Sequence, residues 1–163
     1  MDDNMKGLVE LLEKKSVFLL GDLANVAEHA EMMEEWNVPV TGETACSTQF
    51  CVGQNYWAPM HNDKDYFYTT LSCFSLEDFS LETNVEARRL LQERILYHFA
   101  FPEYGIAVPM RHGDVMVFDP REMHCATNPR VGGSLIVSAY TSMRMLNTHV
   151  NMKLKKGQCK EPK

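Results

Sequence analysis

Two histidines and one aspartate have the residue types and spacing of a mononuclear metal site. His61 and Asp63 form an H-x-D triplet, and His124 lies 61 positions after Asp63. If the triplet lies on a strand, both of its side chains point to the same face, because successive side chains alternate. A second imidazole from a distant strand would complete a 2-His-1-carboxylate triad, the usual set in non-heme Fe(II) oxygenases. The spacing therefore predicts an iron site.

The residue types alone leave a second interpretation open. H-x-D triplets occur in many proteins that bind no metal, and a single histidine after a strand is often a polar residue at the rim of a sheet. Such a chain would be a metal-free, catalytically inactive jelly-roll binding module. The choice depends on whether the surrounding elements bring His124 close to the triplet.

The elements that must position these residues change character near residue 46. Before it, residues 5–15 and 22–36 carry apolar side chains at helical spacing, and residues 37–43 fit a turn. We expect Asp22 to cap the second helix. After it, short runs rich in β-branched and aromatic residues predict strands. These runs are residues 48–52, 66–74, 96–101, 105–108, 115–118 and 135–140.

One helix is predicted within the strand region. The segment TNVE at 83–86 fits a capping box that starts at Thr83, and Leu90, Leu91 and Ile95 follow at helical spacing. N-terminal helices, many short strands and one inserted helix predict a mainly β (α+β) fold, a β-sandwich or jelly roll with helices packed on one sheet. In that fold the three candidate ligands fall at strand ends, in the mouth of the barrel.

Length and composition favour one globular domain. The chain has 163 residues, 45% of them hydrophobic, and we expect a single domain over 1–150 with its core at 42–145, followed by a disordered basic tail at 151–163. No apolar run is long enough to span a membrane, and no secretory signal is evident. Five cysteines without a C-x-x-C pair suggest reduced thiols in an intracellular protein, cytoplasmic or nuclear.

Charge is distributed unevenly along the chain. The net charge is −6; residues 1–45 hold ten acids against three bases, whereas residues 151–163 hold five lysines against one acid. An acidic body gives no general attraction to nucleic acid, so only the lysines of the tail could contribute phosphate contacts. A charged terminal tail is usually disordered and solvated, and this is the stronger expectation here.

The motifs around the triplet resemble the iron-binding core of the TET/JBP branch of the Fe(II)/2-oxoglutarate dioxygenases. The resemblance covers about residues 42–145 and rests on APMHND at 58–63, GDVMVF at 113–118, HCATNP at 124–129 and a strand at 134–140. It implies a double-stranded β-helix, with Fe(II) held by His61, Asp63 and His124. It also implies O2 and 2-oxoglutarate as cosubstrates, with ascorbate as a further candidate reductant.

The same resemblance also implies a class of substrate. Members of that branch oxidise the 5-methyl group of a pyrimidine in DNA, and they flip the base out of the duplex to reach it. A hydroxylase of a protein side chain or of a small molecule on the same scaffold is the alternative. Trp57 is a candidate for stacking on a base, although a loop tryptophan that covers the core is an equal expectation.

One departure from the family concerns the cosubstrate. The family places an arginine about ten to sixteen residues after the distal histidine, where its guanidinium pairs with the far carboxylate of 2-oxoglutarate. Position 134 is serine here, so the candidates are Arg130, which we favour slightly, and Arg144, with Arg111 as a third. Asn55 and Tyr56 are candidates for hydrogen bonds to the same molecule, and an ordinary loop is an equal expectation for them.

Overall fold

The part of the chain that the structure describes contains four α-helices, eight strands and two short 3-10 helices at Phe79–Leu81 and Pro102–Tyr104. The computed structural model describes residues 3–20, 26–40, 47–128 and 133–155. The helices are α1 (Asp3–Leu20), α2 (Val26–Glu35), α3 (Val85–Glu93) and α4 (Met143–Lys155). The strands are β1 (Gln49–Gln54), β2 (Ala58–His61), β3 (Thr69–Ser75), β4 (Ile95–Phe101), β5 (Ile106–Arg111), β6 (Val115–Phe118), β7 (His124–Ala126) and β8 (Ser134–Tyr140).

The eight strands form two four-stranded antiparallel sheets. Their orders are β1-β8-β3-β6 and β2-β7-β4-β5, so the chain alternates between sheets as a jelly roll does. The predicted fold class is therefore confirmed. Six strands overlap the predicted runs, and β6 has the predicted bounds, whereas β2 and β7 were not predicted as strands.

The main core lies between the two sheets. Alternation along each strand brings apolar side chains inward from both, and the most buried are Leu71, Cys73, Leu96, Tyr97, Phe99, Met110, Phe118, Ala126 and Ile136. Helix α1 covers β3 and β6 and buries Leu12 at 1% exposure. Its neighbour Leu11 is 51% exposed. The two sheets thus form a rigid frame that opens at the strand ends where the candidate ligands lie.

Helices α2 and α4 meet in a second, smaller core. It contains Met33, Trp36, Val38 and Leu146, with Met143 and Val150 packed against it. Helix α4 was not predicted, and it extends to Lys155, so the first five residues of the predicted tail are helical. Lys153 also donates a hydrogen bond to the carbonyl of Glu35. Residues 156–163 and the predicted cap Asp22 lie outside the described residues.

The N-cap of helix α3 lies one residue later than predicted. Asn84, not Thr83, is the N-cap, and its side chain accepts the N–H groups of Glu86 and Ala87. Asparagine caps as well as threonine or better, which explains the shift of one position. The expected apolar face is not buried, since Leu90 is 57% exposed. No helix among the described residues is long and apolar enough to cross a membrane.

His29 on α2 is an unexpectedly buried histidine. It is 4% exposed and stacks on Phe67 with ring centroids 3.9 Å apart. Its Nδ1 atom has no hydrogen-bond partner among the described residues. Burial therefore lowers the pKa of His29 to about 4, because the charged form would lose its hydration. The ring is neutral in the folded protein at pH 7.

We expect His29 to make folding less favourable in mild acid. The unfolded chain protonates this ring near pH 6.5 and the folded chain only near pH 4, so stability falls as the pH falls through that window. Relative to neutral pH, the free energy of unfolding should be lower by about 2 kcal/mol at about pH 5. His29→Phe keeps the stack but takes up no proton, and it should lose correspondingly less stability in urea unfolding between about pH 7.5 and 5.

Comparing the free energy of unfolding of the wild type with that of His29→Phe isolates the effect of His29. Burial raises the pKa of Asp65 to about 6, which acts in the opposite direction, but Asp65 is present in both proteins. An equal change in the free energy of unfolding for both would contradict the prediction.

Candidate metal centre

The two candidate histidines face each other across a pair of short strands. His61 is the last residue of β2 and His124 is the first of β7, and the antiparallel register makes them direct partners. Their ring centroids are 4.4 Å apart. The separation along the sequence is therefore closed by strand pairing, which fixes the backbone beneath both rings.

Asp63 reaches the same point from just beyond the end of β2. It lies two residues after His61, the last residue of the strand, and its backbone N–H donates to the carbonyl of Pro120 at 2.8 Å. Its carboxylate oxygens lie 3.9 Å from Nε2 of His61 and 3.5 Å from Nε2 of His124. The possible ligand atoms of the three residues all lie within 4.8 Å of one another. The structure thus brings the three predicted residues together.

Hydrogen bonds fix the orientation of both rings. Nδ1 of His61 lies 2.7 Å from the carbonyl of Pro59, and Nδ1 of His124 lies 2.7 Å from the carbonyl of Glu122. A carbonyl only accepts, so each neutral ring carries its proton on Nδ1. The Nε2 lone pairs are then free to bind a cation, and a backbone carbonyl behind the ring is the usual outer partner of a histidine ligand.

Aromatic side chains hold His124 more firmly than His61. His124 is 3% exposed, stacks on Phe99 with centroids 5.3 Å apart and meets the ring of Phe118 at 5.0 Å. The side chain of His61 is 32% exposed. One imidazole is therefore built into the core, and the other lies at the entrance.

The carboxylate and the buried imidazole shift each other's protonation. When its ring is protonated, His124 donates a hydrogen bond from Nε2 that lowers the pKa of Asp63 despite partial burial. Burial alone lowers the pKa of His124, but the Asp63 carboxylate and the Glu122 carbonyl outweigh it and raise the value. Both shifts favour a negative charge on Asp63 and a positive charge beside it, which are the electrostatics that a bound cation would also satisfy.

A cavity of about 360 Å³ between the two sheets opens onto the triad. Its inner wall is apolar and includes Leu71, Phe99, Phe118 and Ile136. Tyr56, Asp65, Thr69, Ser138 and Tyr140 add polar groups. Among the described residues, the lining has no lysine or arginine. Burial and Asp63 raise the pKa of Tyr56, so its hydroxyl stays protonated and can donate a hydrogen bond into the cavity.

Of the two residues predicted to bind the cosubstrate from the loop before β2, only Tyr56 lines the cavity. Asn55 directly follows β1 and is outside the lining, and its side chain accepts the N–H of Ser134 at 2.9 Å. Asn55 has φ of 49°, a left-handed conformation that asparagine tolerates. Its role is to join the ends of β1 and β8.

The candidate arginines lie away from the cavity or outside the described residues. Arg144 is on α4, in a groove shared with Asp63, Lys64 and Asp65. Nε of Arg111 donates to the carbonyl of Glu93, and Arg111 does not line the cavity. Arg130 lies outside the described residues. Trp57 is 60% exposed and likewise does not line the cavity.

Two features of the site were missed in the sequence. Asp65 lines the cavity two positions after Asp63, a spacing that could have indicated it. The carbonyls of Pro120 and Glu122 orient two of the three candidate ligands, but a backbone carbonyl leaves no signal in residue types. Only the Asp119-Pro120 pair, typical of a turn, marked this segment.

The donor set fits a divalent metal ion. Ligands about 2.1 Å from a metal and at right angles lie about 3 Å apart, and the measured separations of 3.5 and 3.9 Å exceed this by less than about 1 Å. Two neutral imidazoles and one carboxylate also leave coordination positions open toward the cavity. The group fits a metal-dependent jelly-roll enzyme or binding module.

Comparisons with known proteins give only weak similarities. No protein-family model matches the chain, and no curated protein sequence matches it. A Cupin 2 conserved barrel domain protein from Salinispora arenicola CNS-205 is similar in structure, with 12% identity, a TM-score of 0.37, and 63% of this chain and 68% of that one covered. An RmlC-like cupin protein from Desulfovibrio desulfuricans is also similar in structure, with 12% identity and a TM-score of 0.36. The match covers 64% of this chain and 82% of that one. The jelly-roll fold of this chain is instead established by the order of its own strands.

Proposed function

We propose that this chain is a mononuclear Fe(II)-dependent oxygenase whose metal is held by His61, Asp63 and His124. The observation that carries the proposal is the convergence of two Nε2 lone pairs and one carboxylate at the mouth of a cavity. Bound Fe(II) would supply the activation of O2 that amino-acid side chains cannot provide. The residues of the chain hold the metal from one side and leave the other side to the cavity.

The cosubstrate that we propose is 2-oxoglutarate. The resemblance to the TET/JBP branch supports it, and the cavity of about 360 Å³ has room for a molecule of this size. Its far carboxylate needs a cationic partner, which the described lining lacks. We assign this role to Arg130, since Arg144 lies in the neighbouring groove.

The protein side chains around the metal would orient the bound molecules and exclude water. Phe99 and Phe118 form a dry wall behind His124, which strengthens electrostatic interactions inside the cavity. Hydroxyl groups of Thr69, Ser138 and Tyr140 line the same space and offer hydrogen bonds to a ligand.

The substrate that the family resemblance favours is a 5-methylpyrimidine in DNA, flipped into the cavity. Trp57, 60% exposed, and Tyr56, 40% exposed, stand just before β2 and could stack on a base or its neighbour. Lys64 and Arg144 lie in the groove beside Asp63 and offer positive charge to a phosphate.

A second substrate class is favoured by the charge of the cavity. Asp65 adds a second carboxylate to a lining that has no lysine or arginine among the described residues, and the chain carries a net charge of −6. Both features disfavour a polyanion and favour a neutral or cationic group. A protein side chain or a small molecule fits this chemistry.

A spectroscopic titration tests the proposed function. Anaerobic addition of Fe(II) and then 2-oxoglutarate should produce the weak visible charge-transfer band of the chelated metal, and His61→Ala should abolish it. Arg130→Ala should weaken 2-oxoglutarate binding while leaving Fe(II) binding intact. Absence of the band with wild-type protein that does bind Fe(II) would contradict the cosubstrate. Absence of metal binding would contradict the oxygenase itself.

Product analysis then separates the substrate classes. If DNA is the substrate, aerobic incubation with methylated DNA yields 5-hydroxymethyl nucleosides, detected by mass spectrometry. Succinate release that no DNA stimulates would instead favour the second class.

A further inference from the structure

The turn between β6 and β7, residues 119–122, contacts two of the three candidate ligands. The carbonyl of Pro120 accepts the backbone N–H of Asp63 at 2.8 Å. The carbonyl of Glu122, two residues later, accepts Nδ1–H of His124 at 2.7 Å. One short turn therefore fixes the backbone position of the carboxylate ligand and the ring orientation of the buried histidine.

Asp119 holds this turn in shape. Its Oδ1 atom accepts two hydrogen bonds from Arg121, one from the backbone N–H at 3.0 Å and one from the side-chain Nε–H at 2.8 Å. The backbone carbonyl of Asp119 accepts the N–H of Glu122 at 3.2 Å. An aspartate that bonds the backbone two residues ahead stabilises a turn. Pro120 is fully buried, and the hydroxyl of Tyr104 donates to the carboxylate of Glu122. Both ends of the turn are braced by side chains that do not touch the candidate ligands' rings or carboxylate.

We propose that Asp119 is a positioning residue of the metal centre and acts through the carbonyls of Pro120 and Glu122. The inference rests on the proposed function, because it requires the triad to bind a metal. Without the carboxylate, the N–H of Arg121 loses its acceptor and the turn relaxes. The two carbonyls then no longer hold Asp63 and His124 in one arrangement. Groups behind metal ligands commonly change metal affinity by about 10- to 100-fold when removed.

The other end of β6 offers a matched control. Asp114 precedes this strand as Asp119 follows it, and its Oδ2 accepts the backbone N–H of Arg111 at 2.7 Å. Both residues are half-buried aspartates that brace a turn. The turn at Asp114 bonds to Cys73, which is not a candidate ligand. Asp114→Ala therefore reports the loss of a turn without a connection to the metal.

The experiment uses Co(II) as a probe, with affinity measured by calorimetry and coordination by the visible spectrum. Asp119→Ala should weaken Co(II) binding by about 10-fold or more and change the spectrum. Asp119→Asn retains an oxygen acceptor and should stay within about threefold of the wild type. Asp114→Ala should also stay within about threefold, with the wild-type spectrum, whatever its effect on unfolding.

The outcomes separate this inference from the proposed function. The inference would be wrong if Asp119→Ala kept the Co(II) affinity and spectrum of the wild type, or if Asp114→Ala lost as much Co(II) affinity as Asp119→Ala. Neither result would contradict the metal centre. No Co(II) binding by the wild type would overturn both. If Asp119→Ala does not fold, Tyr104→Phe at an exposed position tests the same turn. It removes a hydrogen bond to a carboxylate, so Co(II) affinity should fall by about tenfold, beyond the range of the controls. An unchanged affinity there would count against the inference.

Discussion

Replacing Asp63 with alanine should abolish metal binding. Asp63 supplies the carboxylate of the triad, and its oxygens lie 3.9 Å from Nε2 of His61 and 3.5 Å from Nε2 of His124. Two imidazoles alone leave a divalent cation without charge compensation at a partly desolvated position. Since even groups behind the ligands change affinity by about 10- to 100-fold, loss of a ligand should exceed about 100-fold. Calorimetric titration with Mn(II) or Co(II) at neutral pH measures the change.

Asp65→Asn is the matched control for this substitution. Asp65 lines the same cavity two positions later, but it does not belong to the group of ligand atoms within 4.8 Å of one another. Neutralising it should leave metal affinity within about threefold of the wild type. If Asp63→Ala bound metal as tightly as the wild type, or if Asp65→Asn lost binding to the same degree, the assignment of the triad would be wrong.

The three residues were predictable as candidates because two histidines and one carboxylate are the donor set of a known type of metal site. What brings the ligands together was not predictable in detail. The strands β2 and β7 have only four and three residues, too few to show a period of two. Asp63 lies beyond β2, so its position depends on a long-range bond to Pro120 rather than on alternation. A hydrogen bond to a distant carbonyl has no local signature.

The fold was predicted more completely than the elements that cover it. Strand β6 follows a Gly-Asp turn and consists of four apolar residues, so both of its ends are marked in the sequence. Helix α4 was missed because its apolar face is discontinuous; it buries only Leu146 fully and completes a core that α2 begins. Asn55 was misplaced because its side chain serves the backbone of Ser134, a contact that spans 79 residues. Local patterns cannot show contacts of this kind.

Phe118→Ala should cost about 3–5 kcal/mol of stability, the largest effect expected outside the triad. Phe118 is 8% exposed, lies 4.8 Å from the ring of Phe99 and meets His124 at 5.0 Å. Its removal leaves a cavity that two rigid sheets cannot close, so both transfer and cavity terms contribute. Urea unfolding of the metal-free protein measures the loss.

The same substitution should also weaken metal binding, because it removes one wall that holds the ring of His124. Phe18→Ala is the control: it makes the same chemical change on α1, where the side chain is 81% exposed, and it should cost less than about 0.5 kcal/mol. Phe118→Leu keeps most of the apolar volume but not the flat edge against the imidazole, so it should recover stability more fully than metal affinity. A variant that lost stability without any loss of Co(II) affinity would show that the hydrogen bond to Glu122 orients His124 without help from the aromatic wall.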